Sequence, residues 1–229
     1  MNARRTSFEA KAAVILLALP SLLHAATVYD GYEAYYASMP NQMFRSRGVE
    51  LQPYSVEGDE SIRLGWSGAA AGKRLRLEIR EGRLSLNGRT LRPRHTTVFP
   101  GEVMSETDLG MGATALVSGP WLCVENTPLS ASGTAVRHRA VYLIRHDRKP
   151  YQAWKLPSLF ATCAAVRRLD QAVYVDQATY RYPEGAEQPQ GVTFAEYRIQ
   201  QGRFVATGVS RAITFVEPGN VYRFTADTQ

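Results

Sequence analysis

Cysteine, histidine and long apolar runs are all scarce in this chain of 229 residues, and each scarcity removes a class of protein from consideration. Two cysteines cannot build the dense cross-linked scaffold of small secreted domains, which a chain of this length does not need in order to fold. Of the four histidines, His24 lies in the N-terminal stretch, so His95, His138 and His146 are the histidine bases of the rest of the chain. Beyond residue 26 no apolar run approaches the roughly 18 residues that a membrane-crossing helix needs, so no membrane span is expected. HExxH, Walker-A and GxSxG patterns are absent, and no Ser-x-x-Lys follows residue 25, which removes the local signatures of common hydrolases and nucleotide-binding proteins. The run Gly65-Trp66-Ser67-Gly68 lacks the spacing of a nucleophile elbow.

What is present begins at the N-terminus. Arg4, Arg5 and Lys11 precede an apolar stretch over residues 12–23, which ends in His24-Ala25-Ala26. A basic start, a short apolar core and small residues at its end are the layout of a secretory signal peptide. Residues 1–25 are therefore expected to be a removable leader, with the cut after Ala25 or Ala26, and residues 26–229 an exported periplasmic or secreted domain. Without the leader the chain keeps 24 basic and 20 acidic residues, a net charge of +4. That balance is mildly basic, and modest for a nucleic-acid binder, so no nucleic-acid partner is expected. In an oxidising compartment the default state of Cys123 and Cys163 is a disulfide with each other.

The periodicity divides the exported part into a short helix and a long β region. Val28, Tyr32, Tyr35, Tyr36 and Met39 fall on one stripe of a helix, with Thr27 and Asp30 in capping-box spacing, Gly31 as a weak point and Pro40 as a stop. Tyr32, Tyr35 and Tyr36 either pack on a sheet or present an aromatic docking stripe. From about residue 48 the period becomes two, between Gly, Pro and Asn punctuation. Over 73–92, Leu75, Leu77 and Ile79 alternate with charged residues, Glu81-Gly82 turns the chain, Leu84 and Leu86 return, and Asn87-Gly88 turns it again. Further strands are expected over 113–118, 121–125, 136–146, 151–155, 172–182, 192–199, 203–207, 212–216 and 221–225. Residues 157–169 suit either a short helix or a strand. The fold class expected is mainly β: antiparallel hairpins and meanders forming a sandwich or a partly open barrel. The polar stretch 101–112 is the best internal boundary, so residues 26–229 form one domain or two lobes, 26–100 and 113–229.

One short pattern occurs twice, Ile79-x-x-Gly82-Arg83-Leu84 and Ile199-x-x-Gly202-Arg203-Phe204, each with a later glycine at the same distance. A hairpin rule satisfied twice accounts for it without a duplicated unit.

The most specific functional hint is electrostatic. With two-residue turns at 81–82 and 87–88, Arg80 faces Arg83 and Arg83 faces Arg92 on the polar side of three adjacent strands. Like charges directly opposite one another destabilise a sheet unless an anion or acidic partner lies over them, or unless Glu78 and neighbouring acids relieve them. Arg74, Arg76 and Arg94 would extend this row. His138 and His146, if in one strand, are too far apart to share a metal. The acidic clusters at 57–60 and at Glu102, Glu106 and Asp108 match no EF-hand pattern, and neither a metal nor a cofactor is expected.

The expected function is that of a non-enzymatic exported binding protein, engaging another protein as a periplasmic inhibitor or immunity-type factor. Its partner would have an acidic surface, or would be an anionic envelope polymer. The alternatives are a cell-envelope hydrolase with a dispersed active site and a structural or assembly component of the envelope.

Overall fold

The computed structural model describes residues 26–57, 62–91, 96–109, 112–126 and 134–226. Residues 1–25, where a leader is expected, the acidic residues Asp59 and Glu60, and Arg92, Arg94 and His95 lie outside the described residues. The chain is mainly β and forms two curled, predominantly antiparallel sheets, with one α-helix near the N-terminus.

The first sheet has ten strands. In chain order they are β2 (Val49–Glu57), β3 (Ile62–Ala70), β4 (Lys73–Arg80), β5 (Arg83–Leu86), β6 (Arg89–Thr90), β7 (Thr96–Val98), β8 (Ala113–Ser118), β9 (Trp121–Asn126), β10 (Val141–Arg145) and β11 (Gln152–Lys155). Their order across the sheet is β6-β5-β4-β3-β2-β8-β9-β10-β11-β7, and β11 with β7 is its single parallel pair. The second sheet has six strands, β1 (Thr27–Asp30), β12 (Arg167–Leu169), β13 (Ala172–Arg181), β14 (Gly191–Gln200), β15 (Arg203–Phe215) and β16 (Arg223–Ala226), in the order β1-β16-β15-β14-β13-β12.

The hairpins over residues 73–90 form as their residues dictate. Glu81 and Gly82 have φ of 49° and 67°, and Asn87 and Gly88 have φ of 53° and 73°. Positive φ at both central residues is the type I′ geometry that matches the twist of the flanking strands. Gln201 and Gly202 repeat it in the other sheet, at 49° and 78°. There the resemblance between the two segments stops: Gly88 sits in a turn, whereas Gly208 lies inside β15, in a bulge of that strand opposite Glu196 of β14. The repeated pattern is thus a repeated hairpin.

Three assignments differ from the sequence expectation. The helix α1 covers only Tyr32–Ser38, while residues 27–30 are extended as β1. β1 pairs in register with β16, Thr27 opposite Ala226, so the hydrogen-bonding demand of a distant strand edge overrides the local helical spacing. The strand expected over 136–146 is limited to β10, because residues Thr134–Arg137 form a 3₁₀ turn first. His138 therefore does not share a strand with His146. Segments 203–207 and 212–216 are one continuous strand, β15. Residues 157–169 contain both suggested elements in succession, a 3₁₀ turn at Cys163–Ala165 and then β12.

Packing links the two sheets through β9 and β10, whose side chains are buried on both faces. Leu122, Val124, Tyr142 and Ile144 point into the curl of the ten-stranded sheet, with Trp66, Leu77, Ile79 and Leu84. Cys123, Val141 and Leu143 point the other way and join Trp121, Trp154 and Phe99 against Val173 and Val175 of the six-stranded sheet. A third cluster packs α1 on that sheet, Tyr32, Tyr35 and Tyr36 lying against Phe194, Ile213, Phe215 and Phe224. Each fully buried large apolar side chain contributes about 1.5 to 3 kcal/mol relative to exposure.

Candidate binding surfaces

The arginine row is built by strand alternation. Along β4, Leu75, Leu77 and Ile79 are buried while Arg74, Arg76 and Arg80 are exposed, and on β5 Arg83 is exposed next to buried Leu84. Arg80 and Arg83 are direct cross-strand partners. Glu81 is the carboxylate near Arg80, with its Oε1 3.9 Å from the Arg80 Nε. Arg76 is more firmly held: its Nε donates to the Tyr54 hydroxyl at 2.7 Å and to Glu78 Oε1 at 2.9 Å, and its guanidinium lies 4.7 Å from the Tyr54 ring centroid. The Tyr54 hydroxyl in turn donates to Glu78 at 2.7 Å. Burial pushes the Tyr54 phenol up to about 12, with the hydrogen bond to Glu78 adding to it. Of the six arginines named from the sequence, four lie together on the outer face of the hairpin, and Arg92 and Arg94 are outside the described residues.

The three tyrosines of α1 are packed against the second sheet. Tyr35 and Tyr36 are 5% and 2% exposed, and Tyr32 stacks on Phe160 with ring centroids 4.1 Å apart. Burial raises the pKa of all three phenols. Tyr32 also borders an open cleft of about 380 Å³ between the helix and the segment 160–164, with Arg137, Arg139 and Glu125 on its walls. The Arg137 Nη1 donates to Tyr180 Oη at 3.0 Å, and Arg139 lies 3.6 Å from Glu125.

Cys123 and Cys163 form a disulfide that ties β9 to the turn beside this cleft. Glu125, two residues along, accepts a hydrogen bond from the Cys163 backbone N–H at 2.6 Å. The covalent link is compatible with an oxidising location.

His138 Nδ1 lies 3.0 Å from Ser158 Oγ, and His146 lines a separate cleft at the end of the ten-stranded sheet. Among the described residues no group of three or more His, Cys, Asp and Glu is placed to hold a metal, and no helix is long and apolar enough to cross a membrane.

Two buried ionic clusters were not legible in the sequence. In the first, Asp176 of β13 is 3% exposed; Arg167 Nη2 reaches both its carboxylate and that of Glu196 at 2.9 Å, and Arg211 of β15 donates to its other oxygen. Burial pushes the Asp176 carboxyl up, against the pull of the two guanidiniums. In the second, Lys155, 6% exposed, donates to the Val103 carbonyl at 2.6 Å and to Asp108 at 2.8 Å, and Asp108 also accepts from the Tyr142 hydroxyl. Both clusters have their charges matched by enclosed neighbours, the arrangement that buried charge requires.

No protein-family model, curated protein or solved structure matches this chain.

The site residues named from the sequence thus separate into a surface hairpin and a buried helix face. The open end of the ten-stranded sheet, carrying Lys73, Arg89 and His146, was missed because its residues come from turns distant in sequence. The alternating pattern showed each turn, but not that the turns meet.

Proposed function

We propose that this chain is a non-enzymatic exported protein that acts by binding an acidic partner protein, as an inhibitor or immunity-type factor, through the arginine row of β4 and β5. The observation that carries the reading is the direct opposition of Arg80 and Arg83 on an exposed face, with Arg74 and Arg76 beside them. Facing like charges cost stability in a sheet, and an acidic surface laid over them offsets that cost. The row rests on buried Leu75, Leu77, Ile79 and Leu84, so it is a rigid display that needs little ordering on binding.

The test uses poly-L-glutamate as an acidic polypeptide and alginate as an anionic polysaccharide, titrated into the purified protein at about 0.02 M and about 0.15 M ionic strength, conditions that differ in Debye screening. Polyglutamate is expected to bind, more weakly at the higher salt, and Arg80→Ser/Arg83→Ser to lose at least about tenfold in affinity while keeping the wild-type unfolding midpoint. Preferential binding of alginate would replace the protein partner by an envelope polymer. Equal affinity of the double variant and wild type would remove the row as the site.

A further inference from the structure

The curl of the ten-stranded sheet is capped at one end and open at the other. At the end where β4 finishes, the 3₁₀ turn Glu106–Leu109 packs across β3 and β4. Its Leu109 is 1% exposed within the core, Glu106 accepts the Glu81 backbone N–H at 2.6 Å, and Asp108 is held by Lys155 and Tyr142. At the end where β4 begins, the β3–β4, β5–β6, β8–β9 and β10–β11 connections come together, and all four lie among the described residues. They surround an open cleft of about 470 Å³.

The cleft has two distinct parts. Its floor is Leu75, Leu86, Val117 and Leu122, continuous with the hydrophobic core. Its rim carries Lys73, Arg89 and His146, and no carboxylate among the described residues lines it. Arg89 is oriented across the seam between the two edges of the sheet: its Nη1 donates to the Tyr151 hydroxyl at 3.0 Å, with the guanidinium 6.0 Å from that ring's centroid. The volume falls within the ordinary range of small-molecule sites, and the mouth of a curled sheet is a recurrent place for one. A purely apolar ligand would leave the cationic rim without a counter-charge, and a small anion would leave the apolar floor in water. One ligand chemistry meets both.

We propose that this cleft binds a single-chain anionic amphiphile, its apolar tail on Leu75, Leu86, Val117 and Leu122 and its anionic head between Lys73 and Arg89. The site lies at the opposite end of β4 from Arg80 and Arg83 and is independent of the partner surface proposed above. The head is a carboxylate or a phosphate monoester, either of which a lysine and an oriented guanidinium can hold.

Calorimetric titration of the purified protein with decanoate, decyl phosphate, decanol and butyrate tests the assignment. Decanoate or decyl phosphate should bind at least tenfold more tightly than decanol, and butyrate should give no measurable heat; whichever anion binds identifies the head group. Lys73→Ser/Arg89→Ser should weaken the anionic ligand at least tenfold and leave decanol unchanged, and Lys73→Ser alone should give part of that loss should the double variant unfold. Val117→Asn should weaken decanoate and decanol together. The Arg80→Ser/Arg83→Ser variant should bind decanoate as wild type does. Equal binding of decanoate and decanol, unchanged decanoate affinity in a folded Lys73 or Lys73/Arg89 variant, or loss of decanoate binding in the Arg80/Arg83 variant would each overturn the proposal.

Discussion

Asp176 and Arg211 are joined across an intervening strand: β13 and β15 flank β14, and the two side chains meet over it beside Arg167 and Glu196. Glu196 belongs to the same cluster because it stands directly opposite Asp176 in the β13–β14 register, and the β14–β15 pairing shifts at the same point. With Tyr35 of α1 beside Arg211, the helix closes the cluster from above.

Removing one member should therefore be far more damaging than replacing a matched pair. Arg211→Met is expected to cost about 3 to 5 kcal/mol, because Asp176 keeps its burial and loses a counter-charge. Asp176→Leu combined with Arg211→Met should recover part of that loss. Urea unfolding of the three proteins checks the order, and a single variant as stable as wild type would show that the cluster contributes nothing to the fold.

The disulfide gives a second expectation. Cys123→Ser/Cys163→Ser should lower stability by about 2 to 5 kcal/mol, the usual loss for a native bridge. Thiol labelling of the wild-type protein under denaturing, non-reducing conditions should detect no free thiol.

Core and row separate cleanly on the same hairpin. Leu77 has no exposed surface, so Leu77→Ala should cost about 2 to 5 kcal/mol through the cavity it leaves. Arg80→Ser/Arg83→Ser should leave the chemical-denaturation midpoint nearly unchanged, since exposed charges contribute little to stability. A large loss in the arginine variant would mean that the row is structural.

Glu78 supplies a pH dependence of known sign. Burial alone would raise its carboxyl, but hydrogen bonds from Tyr54 and Arg76, together with the Arg76 charge, outweigh burial and hold the pKa below its ordinary value. A carboxyl depressed in the folded state contributes stability above its unfolded pKa, about 4.3, and loses that contribution as pH falls through the folded value. The advantage of wild type over Glu78→Gln should be constant between about pH 6 and 7 and shrink on acidification below about pH 4.3. Unfolding curves for both proteins at neutral and acid pH measure it, and a difference that widened in acid would contradict the assignment.

Gly65 tests the same network from the backbone side. A Cβ there would lie 2.5 Å from both the Tyr54 ring and the Leu77 carbonyl oxygen. Gly65→Ala should therefore destabilise the β3–β4 pair and displace Tyr54 from Glu78. A lowered unfolding midpoint, together with a Tyr54 titration shifted down from about 12, would register both effects.

How much of this was legible in the chain depended on how local the cause was. The hairpins over residues 73–90 were readable because their alternation and their Glu81-Gly82 and Asn87-Gly88 turns are determined within a few residues. The pairing of Cys123 with Cys163 was readable because there are two thiols and an oxidising compartment is expected. β1 was misread because its partner, β16, lies at the far end of the chain, and the tyrosine spacing imposed a helical reading on residues that a distant edge holds extended. Asp176, Glu196, Arg167 and Arg211 carry no local signal of one another, since their opposition exists only once four strands are in register. Lys73, Arg89 and His146 could not be grouped because three separate turns bring them together.

The two-sided strands β9 and β10 tie the disulfide to a single register. Neighbouring positions belong to different interiors, Leu122 and Val124 to one and Cys123 to the other, so a slip of one residue exchanges every occupant. In the slipped arrangement the Cys123 thiol faces away from Cys163. The bond between Cys123 and Cys163 is thus compatible with one register of β9 and not with its one-residue neighbours.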